Sequence, residues 1–358
     1  MGIKNKIKKA IMTKQIDKRK AGSTFDIVAS DTFEIPEGAD ASYNHSHYFS
    51  MHKLGSKESM FLRYARRGGD GKTEIWFTFR DKDGNVYYAE KDHYLKSEKC
   101  PVTLEIVEPG KLLKFTYKGD ATLAEFNNGD AKATPKSKKV KVEMKGEFEG
   151  TSKLFEFSHH LPTEPLAHAF AKEKWTKAFI EALKENHQAH CEQQGLISCT
   201  IKIDGKIHEF NKVSSLRDHS YGKRDWGYFD RHIWILGLME NGDMFHTSFT
   251  RYPAVAQLSS GFYLRDGEPL AYVKRLQPMD TLPIVGKCPE ELSYIVELDD
   301  GRTITVNTTR EFEVQFDFQG NYTISEGVST FEVDGIKGRG ITEFGFNPDK
   351  SKWTRGAK

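Results

Sequence analysis

The densest run of chemically capable side chains is residues 217–226, RDHSYGKRDW. Two Arg-Asp pairs, a histidine, a tyrosine and a tryptophan surround Gly222. In an extended chain Arg217 and His219 share one face and Asp218 and Ser220 the other. Beyond the glycine, Arg224 and Trp226 share a face opposite Asp225. Buried guanidinium and carboxylate groups must pair to offset desolvation, so one reading is an ionic latch that closes a barrel or joins two domains. The other is a pocket mouth, where a few polar groups orient an otherwise apolar ligand. A carboxylic acid in an apolar pocket has a raised pKa and can protonate a double bond. Asp225 and Glu343 are the candidate acids, with His219 as accessory.

Common catalytic signatures are absent: there is no GxxxxGK[ST], HExxH or GxSxG. Gly338, Gly340 and Gly345 lead into strand-like residues and read as bend-forming positions, not as a dinucleotide fingerprint. His45 and His47 alternate on a strand-like run with His52 nearby, a pattern that two same-face metal ligands would share. No acidic or cysteine ligand sits at a matching spacing, so no metal is assigned, and no cofactor is expected. His159 and His160 are adjacent and would point to opposite faces of a strand.

The elements around these residues read mainly as strands. The chain has 358 residues, enough for two domains or one large β domain. Phe 24, Tyr 14 and Trp 5 supply a ring-rich core of the kind strands favour. TEIWFTFR meets VYY across DKDGN, and NNGDAKATPKSKK reads as a mobile loop. Asp204-Gly205, Asn241-Gly242, Asp266-Gly267, Asp300-Gly301 and Asp334-Gly335 suit hairpin turns whose central residues reach positive φ. Meandering hairpins of this kind favour an antiparallel barrel or sandwich over a parallel sheet. Residues 164–194 change to helical spacing through Leu166, Phe170, Trp175 and Phe179, with Pro165 at the expected start and Gly195 past the expected end.

Lys+Arg 53 against Asp+Glu 51 gives a net charge of +2, which argues against a nucleic-acid binder. The first 20 residues hold eight basic side chains against Asp17, with Ile3, Ile7, Ala10 and Ile11 at helical spacing. That is a basic amphipathic helix suited to an anionic membrane surface. Cys100, Cys191, Cys199 and Cys288 form no CxxC pair, and no apolar leader opens the chain, so a reducing cytoplasm, with peripheral membrane contact, is expected.

Residues 190–195 (HCEQQG), the strand to Ile203-Asp204-Gly205, the 217–226 string and residues 331–344 (FEVDGIKGRGITEF) together resemble a lipocalin-like superfamily. It includes carotenoid 1,2-hydratases, hydroxyneurosporene-synthase-like proteins, certain Diels–Alderases and fungal survival-factor lipocalins. The sequence is most similar to the β domain that precedes the phosphoenolpyruvate-synthase-like part of some invertebrate proteins. Tyr221 stands where that pattern commonly has Trp, and Cys191 where it commonly has an aromatic residue. The resemblance implies an all-β, mainly antiparallel chain of two consecutive lipocalin-like barrels. The expected division is a basic segment 1–20, a first barrel 21–160, a connecting helix 161–194, a second barrel 195–346 and a tail 347–358. It also implies a cavity for a lipid, terpenoid or polyene. Arg217, Tyr221, Arg224, Trp226, Phe245, Phe249, Tyr252 and Phe262 are the candidate ligand-binding residues. The alternatives are a hydratase, isomerase or cyclase of the same fold, and a regulatory interaction module.

Overall fold

A computed structural model describes residues 2–347 except 23, 70–71, 95–99, 128, 133, 135–136, 178, 182–187, 225, 227–229, 253–254, 266, 280–287 and 319–321. Within the strands, the side chains of 90–94, 127, 252, 256 and 318 are also outside the description. The helices are α1 (Ile3–Ala21), α2 (Ile27–Asp31), α3 (Phe157–His160) and α4 (Thr163–Lys172). The strands begin with β1 (Tyr43–His52), β2 (Ser59–Arg67), β3 (Thr73–Arg80), β4 (Val86–Tyr94), β5 (Val102–Glu108) and β6 (Leu112–Leu123). A short hairpin, β7 (Glu125–Asn127) and β8 (Asp130–Lys132), precedes β9 (Lys139–Gly150), β10 (Phe155–Glu156), β11 (Ala189–Ile203) and β12 (Lys206–Lys223). Then come β13 (Arg231–Met239), β14 (Met244–Tyr252), β15 (Val255–Leu264) and β16 (Ala271–Gln277). The last are β17 (Glu291–Leu298), β18 (Thr303–Phe318), β19 (Tyr322–Val333) and β20 (Ile336–Phe346).

The chain forms two closed antiparallel barrels. In the first, pairing runs β11-β12-β1-β2-β3-β4-β6-β9 and returns to β11. In the second, β13 to β20 pair in sequence and β20 closes on β13. Closure removes the exposed edges that an open sheet would present. The boundaries differ from the expected 21–160 and 195–346: one compact unit holds 25–157 with 188–224, the other 1–24, 158–187 and 225–358. The first barrel needs β11 and β12 to close, so the span read as one helix to residue 194 is shared between α4 and β11. Gly195, expected beyond a helix end, lies within β11, where an added Cβ would come 2.4 Å from the Phe148 ring.

Period-2 patterning explains the walls. β9 reads KVKVEMKGEFEG, and Val140, Val142, Met144 and Phe148 are buried while the lysines and glutamates between them are exposed. The first barrel's core stacks Phe49 on Phe115 (4.8 Å between centroids) and Phe77 on Tyr117 (4.6 Å). The second barrel's core joins Ile233, Phe245, Phe249, Tyr294 and Phe331. These contiguous clusters line the inward faces of the two barrels. The turns follow the Asp-Gly signal: Asp204 and Gly205 (φ 45° and 91°) and Asp334 and Gly335 (φ 50° and 81°) take the left-handed conformations such hairpins need.

Two helical features complete the units. In one, α1 packs along α4, with Met12 buried and Lys8, Lys9 and Lys20 bonded to Glu173, Glu164 and Leu161. Among the described residues no helix is long and apolar enough to cross a membrane. In the other, α2 is started by Asp26, whose side chain accepts from the Val28 and Ala29 amides. Its last residue, Asp31, enters the polar end of the first barrel. There Arg217 donates to both carboxylate oxygens (3.0 and 2.7 Å), and the Gly110 amide donates at 2.7 Å. Arg217 and Asp31 are both fully buried.

Removing one partner of such a pair strands the other charge. Arg217→Met is expected to lower stability by ~3–5 kcal/mol, and Asp31→Leu combined with Arg217→Met to recover most of that loss. Urea unfolding followed by tryptophan fluorescence checks this. A single-variant loss under about 1 kcal/mol, the scale of a surface pair, would contradict the anchoring role.

Candidate functional site

The 217–226 string divides. Residues 217–223 belong to β12, and the expected alternation holds there: Arg217, His219 and Tyr221 face inward with Phe49 and Met51, which lie opposite Arg217 and Ser215. Asp218 faces outward and bonds His190. The Tyr221 ring stacks on Phe33, centroids 4.4 Å apart. His219 Nδ1 lies 3.4 Å from Ser30 Oγ and 3.5 Å from Asp31 Oδ1, and its ring meets those of His45 and His47. Burial alone would raise the Asp31 carboxyl, but the His219 hydrogen bond and Arg217 hold it well below the usual carboxylate range. Burial lowers His219 and His47, and it lowers His45 to about 3. Both charges in this half of the string are therefore paired, Arg217 with Asp31 and Asp218 with His190.

Strand β12 ends at Lys223, so no alternation continues to Trp226. The Arg224 amide donates to the Ser42 carbonyl at 2.6 Å, and its own carbonyl accepts from Arg67. Asp225 lies outside the described residues. Trp226 is buried in the second unit and stacks on Tyr322, centroids 5.5 Å apart. Phe245 and Phe249 belong to the packed core, Phe249 beneath the Arg231 guanidinium at 5.2 Å. Both rings point into the second barrel with Ile233 and Phe331. The Tyr252 side chain lies outside the description, and Phe262 is buried beside His246.

Glu343, one of the two candidate acids, is half-buried and pairs with His232. His232 Nε2 bonds the Glu343 carboxylate, and His232 Nδ1 lies 2.6 Å from the Tyr322 hydroxyl. The carboxylate can only accept, so Nε2 carries the hydrogen. Nδ1 then keeps its lone pair and accepts from the tyrosine. The strands explain the meeting. His232 on β13 pairs with Gly345 on β20, which pairs in turn with Ile324 on β19. Glu343 and Tyr322 each lie two residues before those partners, on the same face. An added Cβ on Gly345 would sit 2.2 Å from His232 Cε1 and 2.7 Å from the Tyr322 hydroxyl. Glycine thus leaves the gap through which Tyr322 reaches His232 across the intervening strand.

This face is opposite the barrel core, yet Trp234, His246, Phe262 and Glu326 on it are buried. Trp234 packs on His246, centroids 5.3 Å apart. His232 and Tyr322 were not singled out from sequence, because nothing in the chain brings residues 90 and 111 positions apart together except strand register. A separate recess of about 630 Å³ on the first barrel has a mixed lining, with Lys114, Lys145, Glu147 and Thr200 beside Phe115 and Phe210.

The fold is shared with known structures at low identity. An AttH-like protein from Nitrosomonas europaea aligns with a TM-score of 0.52 and 10% identity, over 87% of this chain and 96% of that one. Kievitone hydratase from Nectria haematococca aligns with a TM-score of 0.49 and 8% identity, over 90% of this chain and 95% of that one. The first of these shows the double-barrel, lipocalin-like fold and not an activity. No curated protein matches the sequence. Over residues 30–348 the sequence matches the model of a domain of unknown function, DUF7064, and the chain belongs to that family.

Proposed function

We propose that the outward face of the second barrel binds an apolar, unsaturated small molecule and carries out hydratase- or isomerase-type proton transfer on it. The supporting observation is the Tyr322–His232–Glu343 chain beside Trp226. In this reading the tyrosine oxygen receives a proton from water or from an activated carbon, and the phenolic hydrogen passes to His232 Nδ1. Glu343 steadies the imidazolium so formed, in the way an orienting carboxylate serves a general base. The reverse transfer returns the proton to the substrate. Trp226 stacks on the relay tyrosine, a ring–ring contact worth ~0.5–1.5 kcal/mol beyond its buried area. Trp234 and Phe262 lie buried on the same face of the barrel. Asp225 and His219 have no part in this scheme.

A pure carrier or a regulatory module has no use for a three-member relay, which is why the enzymatic reading is preferred.

The test incubates the full chain with chalcone, retinal and farnesol in deuterated water and follows label uptake by mass spectrometry. At least one compound should exchange or hydrate. Tyr322→Phe should slow that reaction roughly 10²–10⁴-fold while leaving the melting temperature near wild type. Gly345→Ala, which crowds the relay, should abolish it. An unlabelled panel, or a Tyr322→Phe rate equal to wild type, contradicts the proposal.

A second reading concerns α1 and a membrane surface. Ile3, Ile7 and Ile11 lie on one helix face and are 80%, 57% and 43% exposed. Lys4, Lys6, Lys14 and Lys18 surround them and are exposed as well. Such a face gains from apolar insertion and from ~1 kcal/mol per lysine near an anionic leaflet. The chain should float with vesicles of 70% phosphatidylcholine and 30% phosphatidylserine, a composition of about that ratio being strongly anionic. It should not float with phosphatidylcholine alone, and Ile7→Asp with Ile11→Asp should release it. Equal recovery of that double variant with the anionic vesicles removes the reading.

A further inference from the structure

We propose that His45, His47 and His219 form a binding site for a first-row divalent metal ion, zinc being the type case, inside the polar end of the first barrel. The strand geometry assembles it. His45 and His47 are two apart on β1 and share its inward face, and His219 lies directly opposite His47 on β12. The sequence supplied the pair; only barrel closure supplies the third imidazole, from 172 positions further on.

The nitrogen positions match a coordination site. His45 Nε2 lies 3.1 Å from His219 Nε2 and 3.1 Å from His47 Nε2, and the three candidate donor atoms all fall within 4.8 Å of one another. Tetrahedral zinc at about 2.0–2.1 Å from each nitrogen places the nitrogens about 3.3 Å apart. All three rings are buried, within the polar end of the barrel. Behind His219, Asp31 and Ser30 stand at Nδ1, the carboxylate–histidine arrangement that orients a metal ligand.

The hydrogen-bond balance of the cluster points the same way. Arg66 Nη2 lies 2.7 Å from His45 Nδ1, and a guanidinium can only donate. Neutral His45 therefore carries its hydrogen on Nε2. Asp31 takes the Nδ1 hydrogen of His219, which leaves the His219 Nε2 lone pair aimed at His45. His47 Nδ1 has no hydrogen-bond partner among the described residues, and its Nε2 also meets His45 Nε2. One hydrogen thus serves a three-nitrogen junction. A divalent cation in its place satisfies all three lone pairs, with two adjustments. His45 must move its hydrogen to Nδ1, which requires Arg66, already bonded to exposed Glu34, to turn away. The His47 and His219 rings stack within 8° of parallel, centroids 4.1 Å apart, so one must rotate to bring both planes onto a single ion. Cys191 lies across from His219 in register, but burial pushes its thiol up to about 12, and it stays outside the ligand set. The fourth metal position is left to water or a ligand.

The test uses the full chain stripped with a chelator and then titrated with zinc chloride by calorimetry, and with cobalt(II) by visible absorption. One equivalent should bind, with the intense visible bands of tetrahedral cobalt and a raised melting temperature. His47→Gln and His219→Gln should each weaken binding about a hundredfold or more, at the top of the range for disrupted metal sites. Arg66→Ala should tighten binding by freeing His45 Nδ1, a result that a purely structural histidine cluster does not give. His190→Gln removes the other histidine-carboxylate grouping, His190 with Glu192 and Asp218, and should leave the stoichiometry unchanged. Absence of binding in the stripped wild type overturns the site. So does full binding in both His47→Gln and His219→Gln, loss of binding in His190→Gln, or loss of binding in Arg66→Ala. These readouts are independent of the Tyr322 relay, so this proposal and the enzymatic one fail separately.

Discussion

A buried charge must be neutralised where it lies, and the Asp31–Arg217 pair is where the first barrel meets that demand. Each carboxylate oxygen accepts from the guanidinium, one also takes the Gly110 amide, and His219 stands at the other. Gln193 in turn holds the Gly110 carbonyl at 2.7 Å. The Asp31 carboxylate is thus met by a guanidinium, a backbone amide and an imidazole, the kind of pairing under which a buried charge tolerates its desolvation. The pair also ties the five-residue helix α2 to β12. Because Asp31 cannot leave without exposing Arg217 to an unpaired interior, the loop that carries Ser30, Asp31 and Phe33 has one seating, and the imidazole cluster inherits its geometry from that seating.

The barrel converts a one-dimensional alternation into two surfaces of different chemistry. In β9 the conversion is legible from sequence, since exposed lysines and glutamates separate buried Val140, Val142 and Met144. In β1, YNHSHYFSMH, both faces are buried, so the alternation is not between apolar and polar. Phe49 and Met51 continue inward into His47 and His45, while Ser46, Tyr48 and Ser50 fill the opposite face. Hydropathy cannot rank two buried faces, and that is why His45 and His47 gave only a weak signal. The Asp-Gly turns were legible because a two-residue hairpin turn needs positive φ and few residues supply it. The 164–194 helix was overextended because β11, AHCEQQGLISCTIKI, opens with polar residues that carry no strand pattern and closes a barrel begun far earlier in the chain.

The site residues divide along the same line. Arg217 and His219 were visible because charge and imidazole are rare in a β region, and their shared face follows from spacing alone. Their partner Asp31 was not visible, since a short helix with Asp26 as its cap gives little periodicity. Glu343 was visible as a carboxylate beyond the Asp334-Gly335 turn, but its bond to His232, and through it to Tyr322, is one that only register reveals. Phe245 and Phe249 were read as wall residues from their type. Ring-rich strands place aromatic side chains on both faces, and these two fall on the core side with Ile233 and Phe331.

What the double-barrel fold contributes to chemistry is rigidity without sequence adjacency. The relay atoms come from three neighbouring strands whose backbones are locked by ladder hydrogen bonds, so little reorganisation is needed before a proton moves. The missing side chain at Gly345 is as much a part of that arrangement as the groups it lets meet, because any larger residue would occupy the hydrogen-bond path. A site built this way cannot be retuned by lengthening a loop. In the proposed reaction its selectivity comes from neighbouring positions on the same face, where the rings of Trp226, Trp234, His246 and Phe262 are buried. On that proposal the rings favour flat, conjugated molecules over charged metabolites, since a charged group is desolvated among them.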